Sequence, residues 1–234
     1  MAFSDFRSRL FLITPSVTAD DWDGTFMASF EAALSGTRID SNQTQDGDVG
    51  CVLIDGDADK ERLFMDRAAP LVKHAQAQNV AAIIMGDSRI AGRLDADGVH
   101  VPDPKRIDED EQTKLQDRGL ILGCGGINTR HVALNTGERE FDYLFFGRTD
   151  REPTPDNHPK TVTLSLWWAQ MMSLPCVALS GTSDEAVRQL AEGGVEFVAM
   201  REQVWQADDP AAEIVRLNTM LDEIARNRMS EAAR

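Results

Sequence analysis

The chain has 234 residues, 42% of them hydrophobic and 27% charged, which is enough to bury a full core and is not the composition of a disordered chain. Its 24 Lys and Arg stand against 39 Asp and Glu, and the formal charge of -15 argues against nucleic acid or an anionic membrane as a partner. An anionic substrate is compatible only where local cations overcome that field.

In chain order, the first strand expected is Leu10 to Thr14. The only apolar run among the first 20 residues, Leu10 to Ile13, follows Asp5 and Arg7 and precedes no small-residue cleavage pattern, so no signal peptide is expected. Trp22, Phe26 and Phe30 recur at helical spacing and mark a first helix to about Leu34. The polar, turn-rich stretch Ser35 to Val49 then leads into a second strand, Gly50 to Asp55. Leu63, Leu71, Val72 and Ala75 mark a second helix from Asp59 to Gln78.

A tight β-α-β unit follows: strand Ala81 to Met85, a short helix Ser88 to Leu94, and strand Gly98 to Val101. The fifth strand is Leu120 to Gly123, followed by a helix capped by Asn128 or Thr129. The sixth, Tyr143 to Phe146, opens into a polar loop from Thr149 to Lys160, and Trp167-Trp168 in the next helix reads as core and interface material. The seventh strand, Cys176 to Leu179, precedes a helix capped by Ser183 with Asp184 and Glu185 at its positive end. The eighth is Phe197 to Met200. A last helix, Asp209 to Arg228, carries Ile214, Leu217, Leu221 and Ile224 on one face, and Met229 to Arg234 is expected to fray.

Eight short, nearly continuous apolar strands alternating with helices predict a parallel sheet covered on both faces. The fold class is α/β, a single (β/α)8 TIM barrel over residues 1–234, ordered from about 8 to 228; a doubly wound open sheet is the competitor. No apolar stretch approaches the ~20 residues that span a bilayer. Cys51, Cys124 and Cys176 are odd in number and far apart, which fits buried thiols in a reducing, cytoplasmic compartment better than a zinc site.

Several blocks in order resemble the thiamine phosphate synthase and TenI-like barrels. They are Leu10-Phe11-Leu12-Ile13-Thr14-Pro15, Ala96-Asp97-Gly98-Val99-His100, Gly119-Leu120-Ile121-Leu122-Gly123, Phe141-Asp142-Tyr143-Leu144-Phe145-Phe146-Gly147, Leu174-Pro175-Cys176-Val177-Ala178 and Ala191-Glu192-Gly193-Gly194-Val195-Glu196-Phe197-Val198-Ala199-Met200. The resemblance covers about residues 8 to 205. It implies a transferase that joins an aminopyrimidine diphosphate to a thiazole phosphate with release of pyrophosphate. It also implies cations for the diphosphate and carboxylates for Mg²⁺.

Carried over position by position, the resemblance changes at the expected site. Where the family reads Gln-x-x-x-Lys after strand two, this chain has Leu53-Ile54-Asp55-Gly56-Asp57; where it reads Asn-Asp-Arg after strand three, it has Met85-Gly86-Asp87. Asp87 and Asp103 are the candidate Mg²⁺ ligands, although both positions are also read as ordinary turn chemistry. Arg148 and Arg151 stand in for the family's loop lysine and, with Asp87, are the catalytic candidates. Ser180 and Gly181 replace its Gly-Gly pair, and Arg201-Glu202 follow strand eight. Ser180, Gly181, Arg201 and Arg130 are the phosphate-binding candidates, with an internal Arg201–Glu202 pair as the plainer reading.

The TenI branch uses a histidine after strand five, and His131 falls three residues late for that role, so it reads as a solvated helix residue. His100 reads as a core or rim residue with a hydrogen-bonded imidazole, and neither His74 nor His158 stands out. Three functions follow: the synthase, a barrel that binds a thiazole or thiamine phosphate without turnover, and a thiazole tautomerase. The expected partner is a small phosphorylated heterocycle. A homodimer is also implied, with the Trp-rich first and sixth helices as its support.

Overall fold

The computed structural model describes residues 7–37 and 48–232. Its strands are β1 (Arg9–Ile13), β2 (Val49–Ile54), β3 (Ala81–Met85), β4 (Gly98–Val101), β5 (Ile121–Cys124), β6 (Tyr143–Phe146), β7 (Cys176–Leu179) and β8 (Phe197–Met200). The helices are α1 (Phe26–Ser35), α2 (Glu61–Ala77), α3 (Ser88–Leu94), α4 (Glu109–Asp117), α5 (Arg130–Gly137), α6 (Pro159–Met171), α7 (Asp184–Glu192), α8 (Glu202–Trp205) and α9 (Pro210–Ala232). All strand pairs are parallel and the ring closes between β8 and β1, so the sheet is a barrel and not the open alternative.

The near-continuous apolar character of the strands has a direct cause in this ring. Phe11, Ile13, Leu53, Ile83, Tyr143, Phe145, Val177 and Ala199 point inward and fill the cylinder. Their neighbours Leu10, Leu12, Val52, Ile84, Leu144, Ala178 and Val198 point outward into the layer beneath the helices. Each Val, Leu, Ile or Phe among them, taken wholly from water, contributes about 1.5–3 kcal/mol of hydrophobic stabilisation, before the entropy cost of ordering.

Three helices differ from the sequence expectation. Trp22 precedes α1 instead of lying in it, because Asp23 accepts the Thr25 N–H in a turn; its ring still packs on Phe26 at 4.8 Å. The second helix begins as a single 3₁₀ turn, Ala58–Lys60, capped by Asp57. The last helix continues past Arg228 to Ala232, with Ser230 hydroxyl bonding back to the Asn227 carbonyl, so the chain expected to fray from Met229 is helical there. Most of the expected Ser35 to Val49 loop lies outside the described residues. Both predicted caps are present: Thr129 accepts from Val132 N–H, and Ser183 from Ala186 N–H.

Of the two neighbouring tryptophans in α6, one is core and the other half-buried. Trp168 is fully buried and donates to the Leu174 carbonyl at 2.8 Å, while Trp167 lies under the Arg130 guanidinium at 4.8 Å. The cysteines are free, and burial pushes the Cys51 and Cys124 thiols up to about 12 and raises Cys176 as well. Among the described residues no helix is long and apolar enough to cross a membrane.

Candidate active site

At the carboxyl ends of the strands, a cavity of about 820 Å³ opens over β4 to β8, a volume typical of small-molecule sites. This is the face on which barrels of this architecture carry their chemistry. Its floor is aromatic. His100 from β4 and Tyr143 from β6 share a hydrogen bond of 3.0 Å with their rings nearly parallel, and Phe145 meets the imidazole edge-on.

Tyr143 can lie there only because residue 123 is glycine: a Cβ at that position would fall 1.9 Å from the tyrosine Cζ. Burial pushes His100 down to about 3, so its imidazole is neutral, and raises the Tyr143 phenol. The floor is therefore uncharged at neutral pH.

Charge enters from the loops. Arg106, Arg148, Arg151, Lys160 and Arg201 line the cavity against Asp103, Asp150, Glu152, Asp156 and Glu202. Five cations facing five carboxylates make a local balance quite unlike the chain's -15, and this removes the general repulsion of an anionic ligand. Arg148 forms a two-pronged pair with Asp150 at 2.9 and 2.5 Å, which holds that carboxyl below its ordinary range. Arg201 donates to the Thr149 and Arg151 carbonyls at 2.8 and 2.9 Å and pairs with Glu202 at 2.6 Å, the internal pair anticipated from sequence.

Of the predicted residues, Asp103, Arg148, Arg151, Ser180, Gly181 and Arg201 are brought together around this cavity. Asp87 and Arg130 do not line it. Asp87 caps α3, accepting from Arg89 and Ile90 N–H and pairing with the Arg89 guanidinium. Although burial works in the opposite direction, these bonds hold its carboxyl below the usual range. Arg130 is drawn outward by the face of Trp167.

Asp103 reaches the cavity while accepting from Lys105 N–H at a 3₁₀ turn. Of the expected Asp87–Asp103 ligand pair only Asp103 lines the cavity, and among the described residues no three His, Cys, Asp or Glu side chains converge as a metal site. His131 stands exposed on α5 beside Asn135, at 3.2 Å, and does not line the cavity.

The opposite half of the rim, over β1 to β3, is closed. The segment after β1 folds across it, with Arg67 from α2 donating to the Val17 and Ala19 carbonyls and Lys60 to that of Thr18. Asp55 and Asp57, at the positions that correspond to the family's lysine motif, donate their backbone N–H groups to Thr14 and Thr18 hydroxyls. Trp205 from α8 seals the seam by donating to the Ile13 carbonyl at 2.6 Å.

Comparison with known proteins fits this geometry. The family model for thiamine monophosphate synthase matches residues 10–204. The chain belongs to the thiamine monophosphate synthase family. Within it, the thiamine-phosphate synthase of Rhodospirillum centenum is 33% identical over 91% of this chain and 97% of that protein. The thiamine-phosphate synthase of Hyphomonas neptunium is 31% identical over 94% and 96% respectively. The solved structure of thiamine phosphate pyrophosphorylase from Pyrococcus furiosus superposes with a TM-score of 0.70 at 19% identity, covering 92% of this chain and 96% of that one, which supports the shared barrel fold.

Sequence reading of this family member passed over Asn157, Arg106 and Lys160. Asn157 is nearly buried, and its amide bridges Gly181 N–H, the Ala186 carbonyl and the Gln189 side chain. A single Asn in a Pro-rich loop gave no periodic or spacing signal. Arg106 and Lys160 lie just past a proline-led turn, where surface cations are common.

Proposed function

We propose that the protein is a thiamine phosphate synthase that joins an aminopyrimidine diphosphate to a thiazole phosphate and releases pyrophosphate. The observation that carries the reading is the cavity itself: a neutral aromatic floor of His100, Phe145 and Phe146, braced by Tyr143 behind His100, beneath a rim bearing Arg106, Arg148 and Lys160. Membership in the family supplies the reaction class.

In this reading the bond between the pyrimidine methylene carbon and the diphosphate oxygen breaks, and the oxygen keeps the electron pair. The thiazole nitrogen then donates its lone pair to the carbocation. Arg106, Arg148 and Lys160, which lie outside residues 149–157, stabilise the charge that builds on the leaving diphosphate. Ring faces below favour a cation electrostatically, and a neutral His100 offers no positive charge against it. Asp87 and Asp103 do not fit a shared Mg²⁺, because Asp87 spends its carboxylate on α3 and Arg89, so no step is assigned to that pair.

Supplying both phosphorylated halves with Mg²⁺ to the full chain and following pyrophosphate by a coupled assay tests the reading. Release proportional to enzyme is expected, and its absence at high enzyme concentration would exclude the synthase. A barrel that binds thiazole or thiamine phosphate without turnover is the second reading, favoured by the commitment of Asp87 to a helix cap. Its signature is thermal stabilisation by those ligands, about 2.7 kcal/mol at 100 times the dissociation constant, with no pyrophosphate released.

A further inference from the structure

The loop between β6 and α6 bonds to the ends of β7 and β8 in one consistent sense: it presents acceptors and they present donors. Gly181 N–H donates to the Asn157 side-chain oxygen at 2.8 Å, Thr182 N–H to the Thr154 carbonyl at 2.9 Å, and Ser183 N–H to the Pro155 carbonyl at 3.1 Å. Two further bonds run from the Arg201 guanidinium to the Thr149 and Arg151 carbonyls. Five oxygens of one loop thus fill a cluster of three backbone N–H groups and the Arg201 Nη1, a donor set that suits a phosphate.

The fit is close but incomplete. Gly181 lies directly beneath the loop, where a Cβ would stand 2.4 Å from the Pro155 carbonyl oxygen. Around the same corner of the cavity the Ser180 hydroxyl, one Glu202 carboxylate oxygen and the Gln203 side-chain oxygen have no protein hydrogen-bond partner. The protein therefore leaves hydrogen-bonding capacity unused at this corner, which a ligand or solvent can meet once the loop lifts.

We infer that residues 149–157 form an intramolecular occupant of an anion-binding corner at the ends of β7 and β8, and that a ligand phosphate enters only by displacing them. The inference rests on the reading of the cavity as a phosphate-ester site. It goes further in coupling binding to release of the loop. Because only the fraction of molecules with the loop displaced is competent, the apparent affinity is lowered by that fraction.

Two measurements on the full-length protein test this. Trypsin cuts after Arg148 and Arg151, and cutting follows the population of the open form when opening is fast. Saturating inorganic phosphate or thiazole phosphate is expected to accelerate cleavage after Arg151, located by mass spectrometry, by about threefold or more if open molecules are a minority. Cleavage that is slowed or unchanged overturns the inference, since a loop merely packed over the ligand would be protected.

Calorimetric titration with inorganic phosphate then compares the wild type with a chain lacking residues 151–154 and with Gly181→Ala. The shortened chain is expected to bind phosphate about tenfold tighter or better. Gly181→Ala is expected to show fast cleavage after Arg151 even without ligand. Binding by the shortened chain no tighter than wild type, or no binding by either, overturns the inference; loss of fold in that chain, seen in its melt, leaves Gly181→Ala and the wild-type proteolysis to decide. If pyrophosphate is never released yet phosphate still opens the loop, the synthase reading fails and the loop inference stands; the reverse pattern separates them the other way.

Discussion

The two halves of the barrel rim are built from the same kind of strand and end differently. Over β1 to β3 the polar side chains and loop groups are consumed in holding one another: Arg67 and Lys60 on carbonyls, Thr14 and Thr18 on the Asp55 and Asp57 backbone, Asp87 on its helix. Over β4 to β8 several cations line open space. A charged residue after a barrel strand is therefore a poor guide to chemistry until its partner is known. Here what separates Asp87 from Asp103 is whether the carboxylate has a free approach to the cavity.

The comparison can be broken most severely at the floor of the open half. Gly123→Ala would drive a methyl group into the Tyr143 ring, and chemical denaturation is expected to show a loss of at least about 3 kcal/mol together with loss of ligand binding. A mild effect would mean that the His100–Tyr143 floor is not fixed by glycine at this position.

Acid tests the same floor. Burial lowers His100 to about 3 in the folded protein against an ordinary value of 6.5, so between those pH values the unfolded chain binds more protons at this site. Its contribution to stability is complete above about 6.5 and is lost as pH falls towards 3. His100→Asn is expected to flatten the stability-versus-pH curve in that window, measured by denaturant melts at fixed temperature. An unchanged slope would show that other groups govern it.

Arg67→Ala addresses the closed half. Losing two charge-assisted bonds to Val17 and Ala19 is expected to cost about 2 kcal/mol, and hydrogen exchange should speed up in residues 17–22 while the floor around Tyr143 stays protected. Equal exchange changes in both halves would erase the distinction. The smallest effect is expected for Asp87→Ala, about 1 kcal/mol from the lost helix cap, with pyrophosphate release per folded molecule unaltered. A collapse of turnover would return Asp87 to the catalytic set.

How much of this was legible in the sequence follows from where information about contacts resides. Strands such as Tyr143–Phe146 and Phe197–Met200 were readable to the residue, because burial on both faces leaves an uninterrupted apolar signature. The capping of α7 by Ser183 was equally local. The role of Asp87 was also local in principle, since an Asp before Ser-Arg-Ile is an ordinary helix start, but the family resemblance drew it towards the metal. The Arg201–Glu202 pair was legible, as neighbours of opposite charge, but the distant partners of Arg130 and Arg201 were not. One is captured by Trp167 from another helix and the other by carbonyls 50 or more residues away, and such partners exist only in the folded ring.

The central claim is that the half of the rim over β4 to β8 is the working half. A crystal structure of the protein with thiazole phosphate bound tests it most directly. The account predicts a phosphate group above the ends of β7 and β8, contacting Gly181 and Arg201 with residues 149–157 displaced. A phosphate seated over β1 to β3, or bound while Asn157 still holds Gly181, would contradict it.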